Sequence, residues 1–100
     1  MKINGKDYKL HYTLDRIAAI ETVIGKPFLS IVQSQGILSI NETKTYFAYG
    51  LQPADRKEYV STKKAMALAE AAIKEQGYLG IIEEIFGQIQ KDCGFFFRAA

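Results

Sequence analysis

His11 and Cys93 are the only histidine and the only cysteine in this chain of 100 residues. A nucleophilic site needs an activated Cys, Ser or Lys beside a base, usually with a third group to orient the base. The two candidates stand near opposite ends of the chain, and His11 falls on the polar side of an alternating segment. They therefore read as a solvated imidazole and a half-buried structural thiol rather than a reactive pair. Two residues of zinc-ligand type cannot build a thiolate-rich structural site. No segment gathers oxygen ligands around a turn glycine at calcium-loop spacing. Glu83 and Glu84 are adjacent, so on a helix they project about 100° apart and do not face each other as an acid and a base. Neither Gly77-Tyr78-Leu79-Gly80 nor Gly36 fits a phosphate-cradling glycine loop. The expectation is a protein that is not an enzyme, with no cofactor and no metal.

The residues that remain call for a partner. Phe95-Phe96-Phe97 follow a helix-ending glycine, Gly94, and are followed in turn by Arg98-Ala99-Ala100. Three consecutive aromatic rings cannot all face one small core. Burying each is worth about 1.5–3 kcal/mol, so three rings left in water would favour association. Two readings stand: one or two rings fold back over the last helix, or the tail docks onto another protein in a groove. Tyr46 and Tyr49 flank an apolar stripe, where amphipathic rings serve either at a core margin or in a contact surface. The candidate partner-binding residues are thus Tyr46, Tyr49, Phe95, Phe96 and Phe97. A DNA-binding regulatory domain is the alternative, using the basic 55–64 segment, where Lys57, Lys63 and Lys64 are the best candidates for phosphate contacts. Asp55 and Glu58 are interleaved with them, which favours a solvated loop.

Composition narrows the class. Hydrophobic residues make up 48% and charged residues 24%, a globular balance that argues against disorder along most of the length. The 13 basic and 11 acidic residues leave a net charge of +2, too little for a strong general field, and no segment concentrates it. A lone cysteine cannot form an internal disulfide, which fits a reducing cytoplasm. No run approaches the roughly 20 apolar residues of a membrane helix, and the N-terminus lacks a signal-peptide core.

The elements that must carry these residues read as one mainly helical domain: a β-hairpin over 1–12, a helical bundle over 13–94 and an aromatic tail over 95–100. Asn4-Gly5 supplies two residues that tolerate positive φ, and Tyr8, Leu10 and Tyr12 alternate with Lys9 and His11, so a hairpin with one apolar face is expected. A first helix should begin at Thr13 or Leu14 and run to Ile24, with Ile17, Ile20 and Ile24 inward and Gly25 ending it. Pro27 suits the first turn of a short second helix carrying Phe28, Leu29, Ile31 and Val32, closed by Ser34-Gln35-Gly36.

Ser39-Ile40-Asn41-Glu42 matches a capping box, so a third helix should run to about Gly50 with Ile40, Phe47 and Leu51 on its stripe. The stretch from Gln52 to Tyr59, with Pro53 and the run Asp55-Arg56-Lys57-Glu58, reads as an exposed connection. Ser61 or Thr62 should cap a fourth helix with Ala65, Leu68, Ala69, Ala72 and Ile73 inward. Gly77 should end it, and Leu79, Ile82, Phe86 and Ile89 define a fifth helix to about Asp92. Gly80 and Gly87 lie seven apart inside that helix, each costing about 1 kcal/mol relative to alanine. They either admit close packing of the alanine-rich fourth helix or leave a groove for a partner.

Taken together, Ile3-Asn4-Gly5-Lys6-Asp7-Tyr8-Lys9-Leu10, then Ile17 to Glu21, Gly25-Lys26 and Tyr49-Gly50-Leu51 resemble the tail assembly chaperones of long-tailed bacteriophages and related prophages. In that family a short hairpin leads into a helix ending in Gly-Lys, and a helix ending in Gly-Leu precedes two more. The likeness spans nearly the whole chain through motifs that are each short. It implies a non-enzymatic protein in the cytoplasm of a bacterial host that coats the helical tape-measure protein while tail-tube protein is recruited, with self-association among the coating subunits. It also implies a longer form made by ribosomal frameshifting. Codons for Phe95-Phe96-Phe97 can carry a slippery run of uridines, and a gene without such a run there would count heavily against that form. No site residues carry over from the resemblance, and the phenylalanine-rich end departs from the family plan.

Overall fold

The computed structural model describes residues 1–35 and 37–98. It is mainly α, with a small antiparallel sheet: β1 (Lys2–Ile3), β2 (Lys6–Leu10), α1 (Leu14–Ile24), α2 (Phe28–Gln33), α3 (Ile40–Gly50), β3 (Leu51–Pro53), α4 (Thr62–Gln76), α5 (Tyr78–Asp92) and a terminal 3₁₀ turn, Gly94–Phe97.

Local chemistry accounts for most of these boundaries. Asn4 and Gly5 both take positive φ, 51° and 80°, the geometry of a two-residue hairpin turn whose twist matches its strands. Thr13 accepts from the Arg16 amide to open α1, and Gly25 closes it at φ 79° with its N–H on the Glu21 carbonyl. Ser39 and Glu42 satisfy each other's backbone amides in a complete capping box. Ser61 caps α4 by position only, without a side-chain hydrogen bond. Pro27 occupies the cap position of α2 rather than its first turn.

The connection expected to be exposed after Gly50 begins instead with a strand. Leu51–Pro53 pairs antiparallel with β2, in the register Tyr8 to Pro53, Lys9 to Gln52 and Leu10 to Leu51, giving a sheet ordered β1-β2-β3. Leu51 therefore belongs to the sheet, and the hairpin gains a third strand from the end of α3. Pro53 is tolerated because β3 is an edge strand, where a missing N–H breaks no ladder. Gln52 is only 3% exposed, and its side-chain amide donates to the Lys57 carbonyl at 2.8 Å.

One core joins the sheet to the helices. Ile3, Tyr8, Leu10 and Tyr12 cover it from the sheet side, and Ile17, Ile20, Phe28, Phe47, Leu68 and Ala72 enter from the helices. The middle helix, α3, packs against α1, α4, α5 and β2. It is accordingly buried on several sides, with Thr43 and Thr45 folding their hydroxyls back onto the Ser39 and Asn41 carbonyls. Its last residue, Gly50, lies where a Cβ would stand 2.5 Å from the Tyr12 ring, so only glycine lets that ring pass.

Two expected faces are shifted. The buried stripe of α5 is Ile81, Ile85 and Ile89, with Ile82 and Phe86 half-buried and Leu79 exposed. That helix is apolar over a wide arc, and tertiary packing selects one of two neighbouring stripes. Ile40, in the first turn of α3, is exposed. Among the described residues no helix is long and apolar enough to cross a membrane.

Candidate partner-binding surface

The C-terminal rings are partly folded back and partly open. In the 3₁₀ turn Phe96 packs against the core, its centroid 5.1 Å from that of Phe28. Phe97 meets Phe28 edge-on at 6.2 Å, and Phe86 stacks on it at 6.3 Å. Phe28 itself is sealed, so it acts as a floor on which three later rings rest. Phe95 touches Phe96 at 4.8 Å but remains 48% exposed, and Phe97 remains 39% exposed. The fold-back and the open tail thus coexist, divided ring by ring. Ala99 and Ala100, the end of the expected tail, lie outside the described residues.

Beside these rings runs a groove of about 320 Å³ lined by Val32, Gln35, Ile82, Glu83, Phe86, Gln90 and Phe97. Its walls come from α2, α5 and the 3₁₀ turn. The wide apolar arc of α5 produces it: Ile81, Ile85 and Ile89 are spent on the core, which leaves Ile82 and Phe86 half-covered on the flank. Exposed apolar surface of this kind is costly in water and suits a helix or an extended apolar segment laid into it.

The tyrosines divide differently. Tyr46 is 1% exposed and packs in the core 6.0 Å from Phe28, so a partner cannot reach it without opening the fold. Its hydroxyl has no hydrogen-bond partner among the described residues, and burial, together with Glu21 and Glu42 nearby, pushes its pKa far above the ordinary phenol value. Tyr49 is half-buried, and its carbonyl accepts from Arg16 Nε at 2.7 Å. Neither ring lines the aromatic groove.

Gly80 and Gly87 do not serve close helix packing, since a Cβ at either would meet nothing within 4 Å. They line a shallow, open depression with Gln76, Glu83, Glu84, Gln88 and Lys91. Glu83 and Glu84 are exposed there.

The chain ends do meet. His11 Nδ1 lies 3.3 Å from Asp92 Oδ2, and that oxygen also accepts from the Tyr12 amide and from Gln88 Nε2, both at 3.0 Å. Cys93 is sealed, with its Sγ 3.7 Å from the Tyr12 carbonyl. Burial, reinforced by Asp92, pushes the thiol above its ordinary pKa, which opposes thiolate formation. The histidine therefore pairs with a carboxylate, a contact that nothing in the local sequence signalled. Among the described residues, no group of three or more His, Cys, Asp or Glu side chains could hold a metal ion.

In the 55–64 segment, Lys63 and Lys64 are exposed on the first turn of α4, and Lys64 shares a pocket with Lys6 and Arg56 but also with Asp7 and Asp55. Mixed charge at that site does not make a phosphate track. Comparison with protein-family models, with curated proteins and with solved structures finds no match for this chain.

Proposed function

We propose that this protein is a non-enzymatic tail assembly chaperone of a bacteriophage or prophage, acting in the bacterial cytoplasm, that holds apolar stripes of the helical tape-measure protein while tail-tube protein is recruited. The family likeness supplies the biological setting, and one observation about the surface supports the chemistry: an apolar groove between α2 and α5 is lined by the half-open Phe97 ring, and Phe95, also half open, lies two residues before it in the same 3₁₀ turn. A coat for a long amphipathic helix needs such a surface, because its client must be kept from self-association by an equally apolar but replaceable contact. Phe95 and Phe97 are the residues assigned to that contact, with Ile82 and Phe86 beneath them. Phe96 supports the surface from the core side, whereas Tyr46 belongs to the core and Tyr49 packs against Arg16 away from the groove.

Co-expression with the tape-measure protein tests the reading. The expected result is a complex that survives purification and is lost when Phe95→Ser and Phe97→Ser are combined. Absence of a complex, or a complex indifferent to both substitutions, overturns it. Salt-sensitive binding to DNA without such a complex would instead favour the regulatory-domain alternative.

A further inference from the structure

At the sheet end of the molecule, away from the aromatic groove, strand alternation builds a second concavity. Tyr8 and Leu10 turn into the core, so Lys9 and, one step beyond the strand, His11 fall on the opposite face. Lys9 stands directly across from Gln52, whose burial brings a polar amide to the same side. The chain then returns over this face and is pinned at three points. Gln52 Nε2 donates to the Lys57 carbonyl, the Tyr59 hydroxyl donates to the His11 carbonyl at 3.1 Å, and the Val60 amide donates to the Leu51 carbonyl at 2.9 Å.

The result is a pocket of about 640 Å³ lined by Lys9, Leu10, His11, Thr13, Gln52, Lys57, Tyr59 and Gln88. No carboxylate is among these lining residues, although 11 acidic side chains are spread along the chain. Asp92 comes nearest in bonding terms, and its Oδ2 is already engaged by the Tyr12 amide, Gln88 and His11. The Nδ1 edge of the imidazole faces that carboxylate at 3.3 Å, and the ring is about half exposed. Behind the pocket, the Arg16 guanidinium lies 3.8 Å from the centre of the Tyr59 ring, which braces the ring and adds positive charge without occupying the opening.

We propose that this pocket, through Lys9, His11, Gln52, Lys57 and Tyr59, binds an acidic peptide segment in which a Glu or Asp side chain is flanked by an apolar residue. The carboxylate lies between the two ammonium groups and the imidazole edge, as charge-assisted hydrogen bonding favours. The apolar flank rests on the Tyr59 ring and on the alkyl stems of the lysines. A bare inorganic anion would leave those walls unused. A nucleic-acid polyanion would meet Glu58, which is exposed between the lining residues Lys57 and Tyr59. The site shares no lining residue with the aromatic groove, so it stands whether or not that groove binds a tape-measure helix.

The test titrates the full chain with a short capped peptide containing a Glu-Leu-Glu core, followed by amide chemical shifts. The expected result is saturable shifts clustered at Lys9, His11, Lys57 and Tyr59. They should weaken at least several-fold when salt rises from about 0.1 M to about 1 M, as the Debye length contracts from about 10 Å to about 3 Å. The combined Lys9→Gln and Lys57→Gln variant removes both charges while keeping part of each alkyl stem, and it should keep its dispersed spectrum while losing most of the binding. A Gln-Leu-Gln peptide binding equally well, or binding unchanged in the double variant, overturns the proposal. Equal shifts with inorganic phosphate alone, or tighter binding of a DNA oligonucleotide at the same amides, overturns the assignment to a peptide.

Discussion

Two aromatic clusters meet at Phe28, and they end in different surroundings. On one side Tyr46, Tyr12 and Phe47 are sealed between the sheet and α3, with the Tyr12 hydroxyl donating to the Tyr46 carbonyl at 2.7 Å. On the other, Phe86, Phe96 and Phe97 rest on the same ring, while Phe97 and the adjoining Phe95 stay open to solvent. Residue type does not explain the contrast, because the more polar rings are the better buried. Position does: the tyrosine cluster lies in the core shared by the sheet and the helices, whereas the terminal phenylalanines rest on that core from outside, with no further layer over them among the described residues. The sealed cluster belongs to the core, and the open one is exposed apolar surface.

Phe28→Ala attacks the shared ring and should be the most damaging change, costing about 3–5 kcal/mol. Chemical denaturation measures the loss. A cost below about 1 kcal/mol would mean that the two clusters are energetically independent. Next comes Gly50→Ala, which drives a methyl group into Tyr12 from backbone at the end of α3. About 2 kcal/mol is expected, and an unchanged melting temperature would show that the sealed side can yield.

A paired substitution sharpens the account of that side. Tyr12→Phe deletes the buried hydroxyl that donates to the Tyr46 carbonyl, so about 1 kcal/mol should be lost. Tyr46→Phe removes a hydroxyl that has no partner among the described residues and should cost roughly nothing or be slightly stabilising. If the two variants lose equal stability in the same urea titration, the assigned hydrogen bonding is wrong. A comparably small effect on stability belongs to Phe95→Ser, within about 0.5 kcal/mol, since its ring is half in water already. A larger loss would place the open cluster with the sealed one.

Much of the architecture was legible because it is local. Asn4-Gly5, Gly25 and the Ser39–Glu42 box act within a few residues of themselves, and the boundaries they set agree with the structure. The alanine face of α4 was equally plain. What escaped was chosen at a distance. β3 is three residues long, contains Pro53 and precedes a charged run, and it is a strand because β2 offers an open edge beside it. The stripe of α5 was misplaced because Leu79, Ile81, Ile82, Ile85, Phe86 and Ile89 satisfy helical spacing in more than one way. For the candidate surface, the open phenylalanines were visible as an excess of apolar residues at a chain end. The burial of Tyr46 was not visible, nor was the contact between His11 and Asp92, which are 81 positions apart.

The order of the elements, their caps and the surplus of aromatic residues are properties of neighbours along the chain, so the sequence alone determined them. Which flank of α5 faces inward, which rings are covered and which cationic side chains share a pocket depend on free energies summed across segments that touch only after folding. Backbone sterics and capping hydrogen bonds act over one turn, whereas burial and charge pairing act across the whole core, and the second group was decided by the tertiary structure.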